Sequence, residues 1–133
     1  MKYSECKALK ELTDDDWQDA AQCIDNEDND FNTGYWRFIH KEDIDGIMQD
    51  ELSNDTWLLG CFQAWFIHSI TGIDTQVIAN AQKAESFELL GELMLPHIEE
   101  VQSEYVSQDG YGHHFSSYDG DEHEFGNYYA FRC

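Results

Sequence analysis

The chain has 133 residues, 41% of them apolar and 14% aromatic, with 28 acidic residues against 7 basic ones and a formal net charge of −21. That length suits one domain, over residues 1–133, and the apolar content supports a core rather than a disordered chain. The charge argues against direct binding to DNA, RNA or an anionic membrane, because affinity for phosphate comes from Lys and Arg.

In chain order, Thr13 reads as an N-cap, and Asp14, Asp15 and Asp16 load the first helical turn. Trp17, Ala20, Ala21 and Ile24 continue a helical stripe. The run DNEDND (25–30) ends that helix in a polar loop. GYWRFIH (34–40) alternates as a short strand, with Tyr35, Arg37 and Ile39 on one face and Trp36, Phe38 and His40 on the other. A short helix over roughly 42–52 follows, with Ile44, Ile47, Met48 and Leu52 inward.

Ser53 or Asp55 caps the next helix, NDTWLLGCFQAWFIHSITG. It is apolar nearly all round, through Trp57, Phe62, Trp65 and Phe66, which is the pattern of a helix buried at the centre of a domain. Gly72 supplies its stop. Asp74 then caps a long amphipathic helix through Val77, Ile78, Ala81, Ala84, Phe87, Leu90 and Leu93, which Pro96 kinks or divides. Helical spacing resumes to about Gln108. The tail reads as a hairpin turning at Asp119-Gly120, followed by a strand from Tyr128 to Arg132. The expected fold is α+β: a mostly helical single domain with a buried central helix and a small antiparallel sheet, made by the 34–40 strand and the C-terminal hairpin.

No apolar h-region opens the chain, and the stretch from Trp57 to Ile70 is too short and too polar to cross a bilayer. The expected location is the cytoplasm, with Cys6, Cys23, Cys61 and Cys133 as free thiols and Cys23 and Cys61 in the core.

Motifs with a chemical mechanism are missing. His113, His114, Asp119, Asp121, Glu122, His123 and Glu124 have ligand chemistry but no ligand spacing, because adjacent imidazoles on a strand point to opposite faces. DGDEHE and DNEDND lack the glycine and glutamate spacing of a calcium loop. No GxSxG, P-loop or GxGxxG occurs. The reading is therefore a non-enzyme with no metal or cofactor.

Acidity is the remaining signal. Nine carboxylates fall between Glu11 and Asp30, six between Glu42 and Asp55, and six more between Glu85 and Glu104. Glu85, Glu88 and Glu92 are spaced by three and four, so on one helix they form a ridge with charges roughly 4.5–6 Å apart along the axis, near the phosphate spacing of a nucleic-acid strand. Such an array suits a partner with a basic nucleic-acid channel. Acidity that serves only solubility is the plain alternative.

The tail GYGHHFSSYDGDEHEFGNYYAFR resembles the C-terminal signature of small accessory proteins of tailed phages and prophages, of the form GHF-x-x-YDG-x-E followed by an aromatic strand ending in Arg. GYWRF (34–38), after an acidic loop, is similar to a strand of plasmid antirestriction proteins of the KlcA/ArdB type. In charge and size the chain resembles the phage overcome-classical-restriction protein, a DNA mimic. These resemblances imply an accessory protein acting in a bacterial host. The expected function is inhibition of a nucleic-acid-binding defence protein, a CRISPR effector or a restriction enzyme, by acidic mimicry. The expected contact residues are Asp14, Asp15, Asp16 and Asp19, then Asp25, Glu27, Asp28 and Asp30, and Glu85, Glu88 and Glu92. The rival is a phage regulatory or assembly protein that binds through the aromatic tail: Tyr111, Phe115, Tyr118, Tyr128, Tyr129 and Phe131.

Overall fold

The computed structural model describes residues 1–133. Nine α-helices and four strands alternate in this order: α1 (Tyr3–Thr13), a 3-10 turn (Asp14–Asp16), α2 (Trp17–Asp25), β1 (Asp30–Thr33), β2 (Trp36–His40), α3 (Ile44–Ser53), α4 (Thr56–Gly60), α5 (Ala64–Thr71), α6 (Thr75–Lys83), α7 (Phe87–Met94), a 3-10 turn (Leu95–His97), α8 (Ile98–Asp109), α9 (Gly112–Phe115), β3 (His123–Phe125) and β4 (Tyr128–Arg132). The fold is thus mostly helical α+β with one small antiparallel sheet. No helix is long and apolar enough to cross a membrane. The chain forms two compact units, one from Met1–Ile44 with Asp109–Cys133, the other from Asp45–Gln108.

The first unit is a sheet covered by two helices. Its strands run β1-β2-β4-β3, all neighbours antiparallel. Alternation sends Phe31, Trp36, Phe38, Tyr128 and Ala130 to one face, where they close over Leu9 of α1 and Ala20 of α2, with Trp17 and Ile24 at the margin. The Phe31 and Phe38 rings stack at 5.1 Å. On the other face, Phe131 packs on Phe115 of α9 at 5.1 Å. Both hairpins turn in two residues with a positive-φ glycine first, Gly34 (φ 49) and Gly126 (φ 56). That is the type II′ pattern, whose twist matches paired strands.

Several expectations fail in this unit. α1 precedes the helix start read at Thr13, and β1 begins at the last residue of the run read as a polar loop. Thr13 is the last residue of α1 rather than an N-cap, and its hydroxyl donates to the Leu9 carbonyl at 2.9 Å. The C-terminal hairpin turns at Gly126-Asn127, not at Asp119-Gly120. Asp119 and Gly120 instead belong to a loop organised by Ser116. The Ser116 hydroxyl donates to Asp119 Oδ1 (2.9 Å) and lies within 2.7 Å of the Arg132 carbonyl. Gly112 abuts the Gly120 carbonyl so closely that no Cβ fits. The residues of the YDG signature therefore have a structural use here.

The second unit is all helix, and it corrects the buried central helix. Residues 54–72 form two short helices, α4 and α5, broken at Cys61–Gln63. The cause is close packing of α4 on α7: Gly60 lies against the Phe87 carbonyl and Gly91 against the Thr56 carbonyl, with no room for a Cβ at either. Gln82 donates to the carbonyls of Gly60 (3.1 Å) and Phe62 (2.7 Å), satisfying groups that the break leaves open. Phe66, Ile67 and Ile70 are buried, but Trp57 and Trp65 are half exposed, at 49% and 50%, and Cys61 is exposed. Asp55 and Asp74 cap α4 and α6 as read, and Gly72 closes α5 in the left-handed conformation. Pro96 lies in the 3-10 turn dividing α7 from α8.

The expected long helix is also two, α6 and α7. Between them Glu85 has φ 59, its N–H bonds Gln82 O (3.0 Å), and the Ser86 N–H bonds Ala81 O (2.9 Å). This is a Schellman C-terminus with glutamate where glycine usually stands. Val77 and Leu93, read as inward, are 57% and 44% exposed, and the buried row is Ile78, Leu90 and Met94.

Candidate functional site

The expected contact residues fall in different units. Asp14 to Asp30 belong to the first, and Glu85, Glu88 and Glu92 to the second. In the first unit they form two groups at opposite ends of α2, a helix spanning about 12 Å. Asp14, Asp15 and Asp16 line a hollow of about 260 Å³ with Tyr35, Trp36 and Arg132. Glu27 lines another, of about 620 Å³, with Glu5, His40, Glu42, Asp43 and Tyr128.

Four of the eight expected acidic residues in the first unit also serve the fold, three through the carboxylate and Asp28 through its backbone carbonyl. Asp16 Oδ2 accepts from the Tyr35 N–H (3.1 Å) and packs on Gly34, fixing the turn of the first hairpin. Asp25 pairs with the N-terminal amine of Met1 at 3.5 Å. Asp30 takes the Arg37 guanidinium in a two-pronged contact, 2.9 and 2.8 Å. The Asp28 carbonyl accepts from the Tyr128 hydroxyl at 2.7 Å. Burial and the Asp28 carboxylate raise the Cys23 thiol above its ordinary value, and burial, Asp28 and Glu27 raise the Tyr128 hydroxyl. Asp14, Asp15, Asp19 and Glu27 are exposed.

Three of the eleven share a feature that sequence reasoning missed. Asp14, Glu27 and Glu85 are the chain's positive-φ residues other than glycine, at φ 56, 60 and 59. Asp14 has ψ −117, a conformation proper to glycine. Glu27 ends α2 by the same Schellman pattern as Glu85: its N–H bonds Ile24 O, and the Asp28 N–H bonds Cys23 O, both at 3.0 Å. Sequence gives no sign of this, because each lies in an ordinary acidic run. The Glu85–Glu88–Glu92 ridge does not exist as drawn. Glu85 stands in the turn, and Glu88 and Glu92 remain one turn apart on α7.

The other expected features are placed as follows. Of the tail aromatics, Phe115, Tyr128 and Phe131 are buried, Tyr111 and Tyr129 are partly covered with rings 5.2 Å apart, and Tyr118 is 67% exposed under the Arg132 guanidinium. Among the tail's acid and imidazole groups, His123 approaches Asp119 at 3.9 Å. The Asp121 N–H, the Ser116 hydroxyl and the His123 charge hold the Asp119 carboxyl below its ordinary value. No group of three or more His, Cys, Asp or Glu gathers at metal-binding range.

Comparison with protein-family models, with curated proteins and with solved structures finds no match for this chain.

Proposed function

We propose that the protein is an inhibitor that occupies the basic nucleic-acid channel of a bacterial defence protein, a CRISPR effector or restriction enzyme, by acidic mimicry. The observation that carries the reading is the choice of residue at the strained positions. A positive-φ backbone costs an L-residue about 1 kcal/mol or more, and glycine removes that cost. Asp14, Glu27 and Glu85 each hold a carboxylate at such a place. Strain kept where a cheaper residue would serve the fold points to a use for the side chain. The net charge of −21 supplies long-range attraction to a cationic channel and speeds encounter.

The test is the triple variant Asp14→Gly, Glu27→Gly, Glu85→Gly, assayed for displacement of DNA from purified CRISPR effector and restriction complexes. The expected result is a protein that melts higher and inhibits less, with inhibition by the parent falling steeply as salt rises. A variant that melts higher and inhibits as well as the parent would refute the role of these carboxylates. Failure of the parent to displace DNA from any such complex would refute the function.

A further inference from the structure

The outer surface of α7 carries two parallel rows. Leu90, Gly91 and Met94 turn inward and are buried. Leu89 and Leu93 turn outward, 57% and 44% exposed, and as an i, i+4 pair they lie one above the other about 6 Å apart. Glu88 and Glu92 form the neighbouring row with the same spacing, and both are exposed. Glu85 stands exposed just before the helix, and Trp57, half exposed, lays its ring on Phe87 at 4.8 Å. Residues 45–108 contain eleven carboxylates and one lysine, Lys83, a net charge of −10.

We infer that the outer face of α7 docks a cationic amphipathic helix of a partner protein. This rests on the basic-partner part of the reading above, but it does not require that the partner bind nucleic acid. The apolar row alone would fit many occupants, and charge selects among them. Nucleic acid and anionic lipid are repelled by the carboxylate row and by the net charge around it. A second copy of the chain pairing through this face would bring Glu88 and Glu92 against their own equivalents. A helix with leucine-like residues at i, i+3, i+4 and i+7, flanked by Lys or Arg, satisfies both rows at once. Residues 45–108 contain no strand, so they offer no open sheet edge to an extended peptide.

The experiment uses the full chain and two synthetic peptides of about five helical turns. One has a leucine stripe flanked by lysines. The other has the same composition with the stripe scrambled. Binding is followed by titration calorimetry at moderate salt, and the site by amide chemical-shift mapping. The expected result is one-to-one binding of the striped peptide, about tenfold or more tighter than the scrambled one, with shifts centred on α7. Leu89→Ser with Leu93→Ser should abolish the preference between peptides while weak charge attraction remains. Glu88→Gln with Glu92→Gln should weaken the striped peptide and flatten its salt dependence. Circular dichroism and melting of each variant check that the fold is kept. Equal binding of both peptides, shifts centred elsewhere, or self-association through α7 would overturn the inference and leave the basic-partner reading standing. No binding of either peptide even at low salt would sink both.

Discussion

The two units carry almost the same net charge and use it differently. Residues 1–44 with 109–133 hold seventeen carboxylates and six Lys or Arg, a net charge of −11, and residues 45–108 hold eleven and one. In the first unit, carboxylates turn a hairpin, pair with Arg37 and the N-terminal amine, and set the environments of Cys23 and Tyr128. In the second, Asp55 and Asp74 cap helices, while Glu88 and Glu92 stand on the surface beside exposed leucines. Among the tryptophans, Trp36 of the sheet is buried, whereas Trp57 and Trp65 of the helical unit stay half in water. Equal charge therefore means different things: part of one unit's acidity is consumed by its architecture, and much of the other's is left facing outward.

The largest expected effect is in the sheet. Phe38→Ala should cost about 3–5 kcal/mol, because it empties a fully buried site stacked on Phe31. Trp65→Ala should cost clearly less, since half of that side chain is already solvated. Urea unfolding of the two variants would break the comparison if the order were reversed. Next, Gly91→Ala should destabilise the second unit by about 1–3 kcal/mol or more, because its Cβ meets the Thr56 carbonyl rather than a flexible side chain. A variant that melts like the parent would mean that α4 and α7 are not in that register.

A smaller effect should follow pH. Cys23 and Tyr128 have folded pKa values raised above their unfolded ones. Their contribution is therefore full below about pH 8.5 and is lost as pH rises through the folded values. Cys23→Ala with Tyr128→Phe should flatten the alkaline decline in urea midpoint, at a fixed loss of about 1 kcal/mol for the hydrogen bond to Asp28. Asp119 acts in the opposite sense: its lowered pKa gives stability above the ordinary carboxyl range that disappears as pH falls through the folded value. An unchanged alkaline slope in the double variant would show that other groups govern it. Smallest is Glu85→Gly, which should raise stability by about 1 kcal/mol by relieving the left-handed turn. A lower melting point would mean that the glutamate side chain is itself a structural contact.

How much of this was legible in the sequence depends on what marks each boundary. Asp55, Asp74, Gly72 and Pro96 act through local chemistry, and each marks a helix end where the sequence places one. The break after Gly60 arises from the approach of a distant carbonyl, which no local pattern records. The turn at Glu85 is hidden because the residue there is a good helix former standing where glycine is expected. β1 is short, and its first residue lies inside an acidic run, so Phe31 and Thr33 are too few to reveal an alternation. For the candidate site, the acidic residues are plain from sequence. Which of them are occupied by the fold is not, because Asp16 and Asp30 meet partners from elsewhere in the chain, Tyr35 and Arg37. Val77 and Leu93 read as core because sequence shows that a residue is apolar, not which side of a helix has a neighbour.

The order of the strands also has a kinetic consequence. β2 pairs with β4 in the register Trp36↔Arg132, and the whole helical unit lies between them in the chain. Residues 45–108 find their partners within one continuous run, so their contacts can close as they are synthesised. The first hairpin can also form early, but its inner edge stays bare until Tyr128–Arg132 has been made. Until then β2 offers an unpaired backbone edge bearing Phe38 and Ile39, the kind of surface through which nascent chains aggregate. During that interval mutual repulsion between acidic chains does a second job, keeping half-made copies apart while they wait for their central strand.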